Sequence, residues 1–106
     1  MSKIVKAARR VAGDSNRRWV AQHTKDWTDF LLSQEYSKED AKRLGTFFGA
    51  QDAYETGHGT NRGARELNNF GGMRNSNGYI KYDSKQDYMA AKLNMMNRRF
   101  SDAMKA

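Results

Sequence analysis

The stretch Tyr54-Glu55-Thr56-Gly57-His58-Gly59 holds the side chain best placed to do chemistry. A glutamate that closes a helix beside a glycine turn, on the helix's apolar side, is expected to keep its proton. Desolvation favours the uncharged carboxyl, and the negative end of the helix dipole acts in the same direction. A general acid for a glycosidic oxygen needs that combination, because an ionised glutamate has no proton to give. A plainer reading fits the same residues: a semi-buried glutamate paired with Arg62 or Arg65. Two other patterns overlap the stretch, and both are incomplete. Gly57-x-Gly59-x-x-x-Gly63 lacks the Gly-Lys-Ser/Thr ending of a phosphate loop and follows a helix where such loops follow a strand. Glu55-x-x-His58 has the i, i+3 spacing of di-metal helical bundles, but those need two such motifs and further carboxylates. His58 reads instead as a cleft-wall residue.

The element that must present Glu55 is a helix opening at Ser37, with Asp40 three residues on in a capping-box arrangement. Ala41, Leu44, Phe47, Phe48 and Tyr54 supply its apolar face, and at 100° per residue Glu55 falls between Leu44 and Phe48. A carboxylate there either lies beyond the end of the core, where the helix meets a cleft, or is satisfied by a partner. Upstream, residues 2–12 form a weak helix with Ile4, Ala8 and Val11 on one side, ended by Gly13. Residues 16–33 form a stronger one, on which Trp19, Val20, His23, Trp27, Phe30 and Leu31 recur at helical spacing. Two tryptophans on one stripe read as core, and His23 as a partly buried structural histidine. Downstream, Gly57 to Gly78 is rich in glycine and asparagine, hence irregular backbone with tight turns. Gly78–Tyr82 is the one expected strand, entered through a hairpin-type turn at Asn75–Gly78. Ser84 with Asp87 caps a last helix reaching about residue 104, with Leu93, Met96, Phe100 and Met104 on one side. The expected fold is mainly α (α+β): a helical domain with a small β-hairpin lobe.

A chain of 106 residues is one domain's worth, and 38% hydrophobic with 29% charged residues suits a globular domain with a large surface share. No segment approaches the roughly 20 apolar residues of a membrane span. The first residues lack the apolar core and cleavage site of a secretory signal, so synthesis in the cytoplasm is expected. There is no cysteine, which excludes disulfides and thiolate metal sites, and a zinc site built on His23 and His58 would have to borrow carboxylates. No metal or cofactor is expected. The net charge of +7 implies an anionic partner, be it nucleic acid, membrane or cell wall. The cations crowd the start, at Lys3, Lys6, Arg9, Arg10, Arg17 and Arg18. A nucleic-acid surface there is disfavoured, because the aromatics fall on a helical stripe and do not alternate with the basic residues. A simple solvated face, or electrostatic attraction to an anionic wall, fits the pattern better.

Three stretches also resemble a known family in sequence and in order. Ala50-Gln51-Asp52-Ala53-Tyr54-Glu55-Thr56-Gly57-His58-Gly59-Thr60 resembles the catalytic-helix motif of the bacterial and phage β-N-acetylglucosaminidases, A-Q-x-A-x-E-[ST]-G-[WYH]-G-x-S. Asn68-Asn69-Phe70-Gly71-Gly72-Met73-Arg74 is similar to that family's N-N-x-F-G-[IM]-K segment, in its N-N-F-G-G spelling. Tyr79-Ile80-Lys81-Tyr82-Asp83-Ser84 resembles its F-x-x-Y-x-S stretch, and Asn97–Ala103 is like its R-[YF]-x-x-A helix. The resemblance covers residues 37–104. It implies a lysozyme-like fold in which residues 37–106 form a glucosaminidase-like catalytic region; residues 1–36 match none of its motifs and are expected to be a basic helical extension packed on that region.

The resemblance further implies an endo-acting peptidoglycan hydrolase that cleaves the glycan strand at N-acetylglucosamine. Glu55 would protonate the leaving oxygen and Tyr82 would stabilise the developing oxocarbenium charge. Asn68, Asn69, Phe70, His58 and Tyr79 would bind or shape the site for the sugar. The expected setting is the bacterial cell wall, with a phage particle or lysis system as partner. One departure stands out: between Gly71 and Tyr82 there is no Asp or Glu, and Asp83 and Glu66 are the nearest candidates for a second carboxylate. Either the substrate's own acetamido group serves as nucleophile, assisted by Tyr82, or the domain binds glycan with little or no cleavage.

Overall fold

The computed structural model describes residues 3–100 and 104, and for residues 4–12 the backbone alone. Helices α1 (Lys3–Ser33), α2 (Lys38–Thr56), α3 (Arg62–Glu66) and α4 (Lys85–Arg99) surround one antiparallel pair, β1 (Arg74–Asn75) and β2 (Gly78–Tyr79). The described chain is therefore mainly α with a small β-hairpin. At about 1.5 Å per residue α1 is long enough to set the 50 Å long axis of the molecule.

Two helices expected on either side of Gly13 are one. Nothing in α1 stops the helix: an interior glycine costs only about 1 kcal/mol, and no proline follows it. The apolar positions Ile4, Ala8 and Val11, and the cations Lys6, Arg9 and Arg10, lie outside the described side chains. Ser101 to Ala103 of the closing motif lie outside the described residues, and α4 is described to Arg99, with Phe100 as its cap.

α1 and α2 pack antiparallel and very close. Gly45 lies against Thr28 and Gly49 against Thr24, where an added Cβ would meet threonine backbone and hydroxyl alike. Glycines one turn apart on α2 thus bring the two backbones together, and the core forms along the seam. Trp27 and Leu31 of α1 meet Ala41, Leu44 and Phe48 of α2, and Tyr88, Met89 and Leu93 of α4 close over them with Phe70 and Met104. The core therefore draws on both sides of residue 36.

Helix starts follow the expected chemistry. The Ser37 hydroxyl accepts from the Asp40 amide at 3.1 Å, and Ser84 does the same for Asp87 at 3.0 Å. The strand expected over Gly78–Tyr82 is shorter, since only Arg74 with Tyr79 and Asn75 with Gly78 are paired. Beyond Tyr79 the chain turns back to the domain, where the Tyr82 amide donates to the Leu67 carbonyl at 2.8 Å. Two residues expected on the inner face of α2 point outward: Phe47 is half-exposed and Tyr54 is 86% exposed. No described helix is long and apolar enough to cross a membrane.

Candidate active site

Glu55 sits in the last turn of α2, and the residues around it fix how that turn ends. Gly57 takes a left-handed φ of 56°, which a side chain would strain, and stops the helix. The buried Thr56 hydroxyl donates to the Asp52 carbonyl at 2.6 Å and accepts from the Gly59 amide at 2.9 Å, locking the following turn. Gly59 then passes directly under the Trp19 indole, where no side chain would fit. Asn61 ties the helix end to α3: its Nδ2 donates to the Glu55 carbonyl at 3.1 Å, and its Oδ1 caps α3 by accepting from the Ala64 amide at 3.0 Å.

The result is a glutamate with fixed backbone and an exposed side chain, so the burial on the helix's apolar side expected to desolvate it is not what the fold provides. Gly72 of the lobe faces its carboxylate, and Lys92, Met95 and Met96 of α4 line a hollow beside it. Of the two placements open to it, Glu55 takes the one beyond the core, facing a cleft. Arg62 does not pair with it but with Glu66, at 2.8 Å, and among the described residues no ion pair reaches Glu55.

Glu55 lines two hollows that meet at its side chain. The first, about 270 Å³, is walled by Asn61, Arg62, Leu67, Asn69, Gly72 and Tyr79. The second, about 380 Å³, is walled by Gln51, Tyr54, Gly71, Met73, Lys92 and the pair Met95 and Met96. The loop between α3 and the hairpin makes this opening. Asn69, 2% exposed, donates from Nδ2 to the Met73 and Ile80 carbonyls at 2.8 and 2.9 Å and accepts from the Met73 amide at 2.9 Å. One side chain thereby fastens both flanks of the hairpin. Gly71 has no room for a Cβ, which would lie 2.5 Å from the Tyr88 hydroxyl, and Gly72 (φ 64°) faces the Glu55 carboxylate.

Of the residues singled out by sequence, Glu55, Asn69 and Tyr79 share the first hollow. The Tyr79 ring is 60% exposed, with the Arg74 guanidinium 4.6 Å over it. Phe70 lies buried beneath, packed on Tyr88, His23 and Trp19. Three others are placed elsewhere. Asn68 takes a left-handed φ of 49° and donates to the Tyr82 carbonyl at 3.1 Å. Tyr82 is half-buried with its ring against Tyr88, outside the lining of both hollows, and burial pushes its phenol up from the ordinary value. His58 is not a cleft wall. It turns, at φ 58°, toward α1 and shares a shallow groove with Asn16, Arg17 and Val20. Its glycine neighbours Gly57 and Gly59 set that turn, so the side chain leaves the cleft. Neither Glu66 nor Asp83 lines either hollow.

Sequence reasoning missed the most heavily bonded side chain among the described residues, Asp52, one turn before Glu55 and 0% exposed. Its Oδ2 accepts from His23 Nε2 at 2.7 Å and Trp27 Nε1 at 2.9 Å, and its Oδ1 from the Tyr88 hydroxyl at 2.7 Å and Lys92 Nζ at 2.8 Å. Burial alone would raise this carboxyl. The His23 hydrogen bond and the Lys92 ammonium outweigh it and hold the group below the usual carboxylate range. Burial beside that carboxylate drives the Tyr88 phenol far up. His23 is wholly buried, stacked on Trp19 at 4.6 Å, and its Nδ1 has no partner. Lys92 and Gly71, both in contact with this network, line the second hollow. The network therefore fixes α2 between α1 and α4 immediately behind the cleft. Among the described residues no cluster of three His, Asp or Glu could hold a metal ion.

No family model, curated protein or solved structure matches this chain.

Proposed function

We propose that the chain is a peptidoglycan hydrolase cleaving the glycan strand at N-acetylglucosamine, with Glu55 as its general acid. The observation that carries this reading is the position of Glu55: exposed, without an ionic partner among the described residues, and at the junction of two hollows. A linear glycan crossing that junction would present its glycosidic oxygen to the carboxyl, with sugars on both sides. The likeness of residues 50–60 and 68–74 to the glucosaminidase motifs supports the same assignment, and the +7 charge suits a polyanionic wall.

The chemistry follows from what lines the cleft. Hydrolysis with a second enzyme carboxylate places the pair roughly 5–5.5 Å apart for retention and 6.5–9.5 Å for inversion. Asp52 cannot be that partner, because all its acceptor directions are occupied and it is sealed from the cleft. The acetamido oxygen of N-acetylglucosamine is left as the nucleophile. Glu55 gives its proton to the leaving oxygen as the C1–O bond breaks and the acetamido oxygen closes on C1. Water then opens the resulting ring, losing a proton to the Glu55 carboxylate and restoring the acid. Tyr79, exposed in the first hollow, is placed to contact the sugar seated there, whereas the half-buried Tyr82 lines neither hollow.

Digestion of purified peptidoglycan by the wild type and by Glu55→Gln tests the reading, with new reducing ends identified by mass spectrometry. N-acetylglucosamine ends from the wild type alone are expected. N-acetylmuramic acid ends would move the cleaved bond and overturn the specificity. A second reading, a wall-binding component of a phage particle or lysis system with little hydrolytic activity, is favoured by one observation: among the described residues Glu55 is the only acidic one lining either hollow. Wall binding without cleavage by either protein would establish it.

A further inference from the structure

The two hollows beside Glu55 differ in chemistry, and the difference orients the substrate. In the first, most polar side chains are already committed. Asn69 uses both amide hydrogens and its oxygen on the hairpin backbone, Asn61 bridges α2 and α3, and the Thr56 hydroxyl is bonded on both sides. Arg62 is the cationic exception. Its side chain is 72% exposed, and only its Nε is engaged, by Glu66 at 2.8 Å. A guanidinium carries five N–H donors, so its terminal nitrogens remain for an anion.

The second hollow is the reverse. Met73, Met95 and Met96 give it an adaptable apolar wall, and its cation, Lys92, is 5% exposed with its ammonium held by Asp52 at 2.8 Å. Glu55, at the junction with the first hollow, is its only anion among the described residues. The hollow so lined offers no free cation to a carboxylate and, on its methionines, good contact to a methyl group.

Building on the proposed hydrolysis, we infer that the cleft is polarised along the glycan. The sugar whose 3-O-lactyl group is a free carboxylate, as on a strand without stem peptide, lies in the Arg62 hollow, and the uncharged N-acetylglucosamine lies against the methionines with its acetamido methyl on their side chains. Cleavage after N-acetylglucosamine then places the methionine hollow on the non-reducing side of the bond and Arg62 on the reducing side. Arg62 would thus distinguish a peptide-free alternating strand from a homopolymer of N-acetylglucosamine.

The test uses the full chain carrying Glu55→Gln, to stop turnover, titrated with two soluble tetrasaccharides. One alternates N-acetylglucosamine with N-acetylmuramic acid; the other is all N-acetylglucosamine. Adding Arg62→Gln is expected to weaken the alternating ligand roughly tenfold, the loss of one charge-assisted contact, and to leave the homopolymer unchanged. Magnetisation transfer from the bound acetamido methyl to the methionine methyls is expected as well. Equal weakening of both ligands, or none of either, would overturn the polarity while leaving the glycan reading intact. Failure of both tetrasaccharides to bind even with Arg62 present would overturn both.

Discussion

Replacing Asp52 with Asn should be the most damaging single-atom change available in this fold. The carboxylate accepts four hydrogen bonds, two on each oxygen, from His23, Trp27, Tyr88 and Lys92. An amide keeps one oxygen and puts an NH2 against two groups that can only donate or whose hydrogens already point inward. Two bonds are lost, and the Lys92 ammonium is left buried without a counter-charge. Breaking a buried pair from one side costs about 3–5 kcal/mol. A domain of this size has roughly 5–15 kcal/mol in all, so the variant should be marginal. Urea unfolding read by tryptophan fluorescence suits the question, because Trp27 donates to Asp52 and Trp19 stacks on His23. With a slope of about 1–3 kcal/mol per molar, the midpoint should fall by roughly 2 M at unchanged slope. Adding Lys92→Met removes the stranded cation, so the double variant should be more stable than the sum of the two single effects by at least about 1.5 kcal/mol. An Asp52→Asn cost below about 1 kcal/mol, or strict additivity with Lys92→Met, would refute the argument that this charge is paired at the core.

Acid should act through the same group: because the folded Asp52 carboxyl titrates below its unfolded value, stability should be intact above the ordinary carboxylate range and fall as pH drops through the folded value, as midpoints measured across that range would show. Asp26, held low by the Lys85 hydrogen bond despite partial burial, should add a smaller loss of the same sign. Gly45→Ala improves helix propensity yet puts a Cβ 2.5 Å from Thr28 Oγ1 and 3.3 Å from its Cα, so thermal unfolding should show a net loss of about 1–3 kcal/mol. Asn69→Ala removes three hydrogen bonds to the hairpin flanks, and amide exchange at Met73 and Ile80 should accelerate more than at α1 or α2.

Much of the scaffold is legible in the sequence because it is written locally. Ser37 with Asp40, Ser84 with Asp87, and Gly57 after a helical stripe each act within a few residues, and each does so in the structure. Gly13 misleads because a glycine weakens a helix without ending it when the residues on both sides keep forming one. The Asp52 network is invisible for the opposite reason. Its donors lie 25, 29, 36 and 40 residues away, on two other helices, and nothing near Asp52 announces them. One signal was present: Ala41, Leu44, Gly45, Phe48 and Gly49 continue at helical spacing to Asp52, which marks it as a buried position. Gly45 and Gly49 themselves look like helix weaknesses until the threonines of α1 are seen against them.

The same distinction separates the motif residues that build the site from those left free to use it. Thr56, Gly57, Gly59 and Asn61 end α2 and hold the next turn; Asn68, Asn69, Gly71 and Gly72 shape the lobe around Tyr88 and the hairpin. Every one of them is accounted for by backbone geometry or by a hydrogen bond within the protein. Their replacement would lower activity through the fold alone, so loss of function there says little about chemistry. Glu55 and Arg62 are different. Both side chains are exposed at the cleft, Glu55 without an ionic partner among the described residues and Arg62 with donors to spare. Surface substitutions away from structural contacts usually change stability by less than about 0.5 kcal/mol. A change in glycan cleavage or binding at either position, with the unfolding midpoint unmoved, would therefore report on the substrate and not on the scaffold.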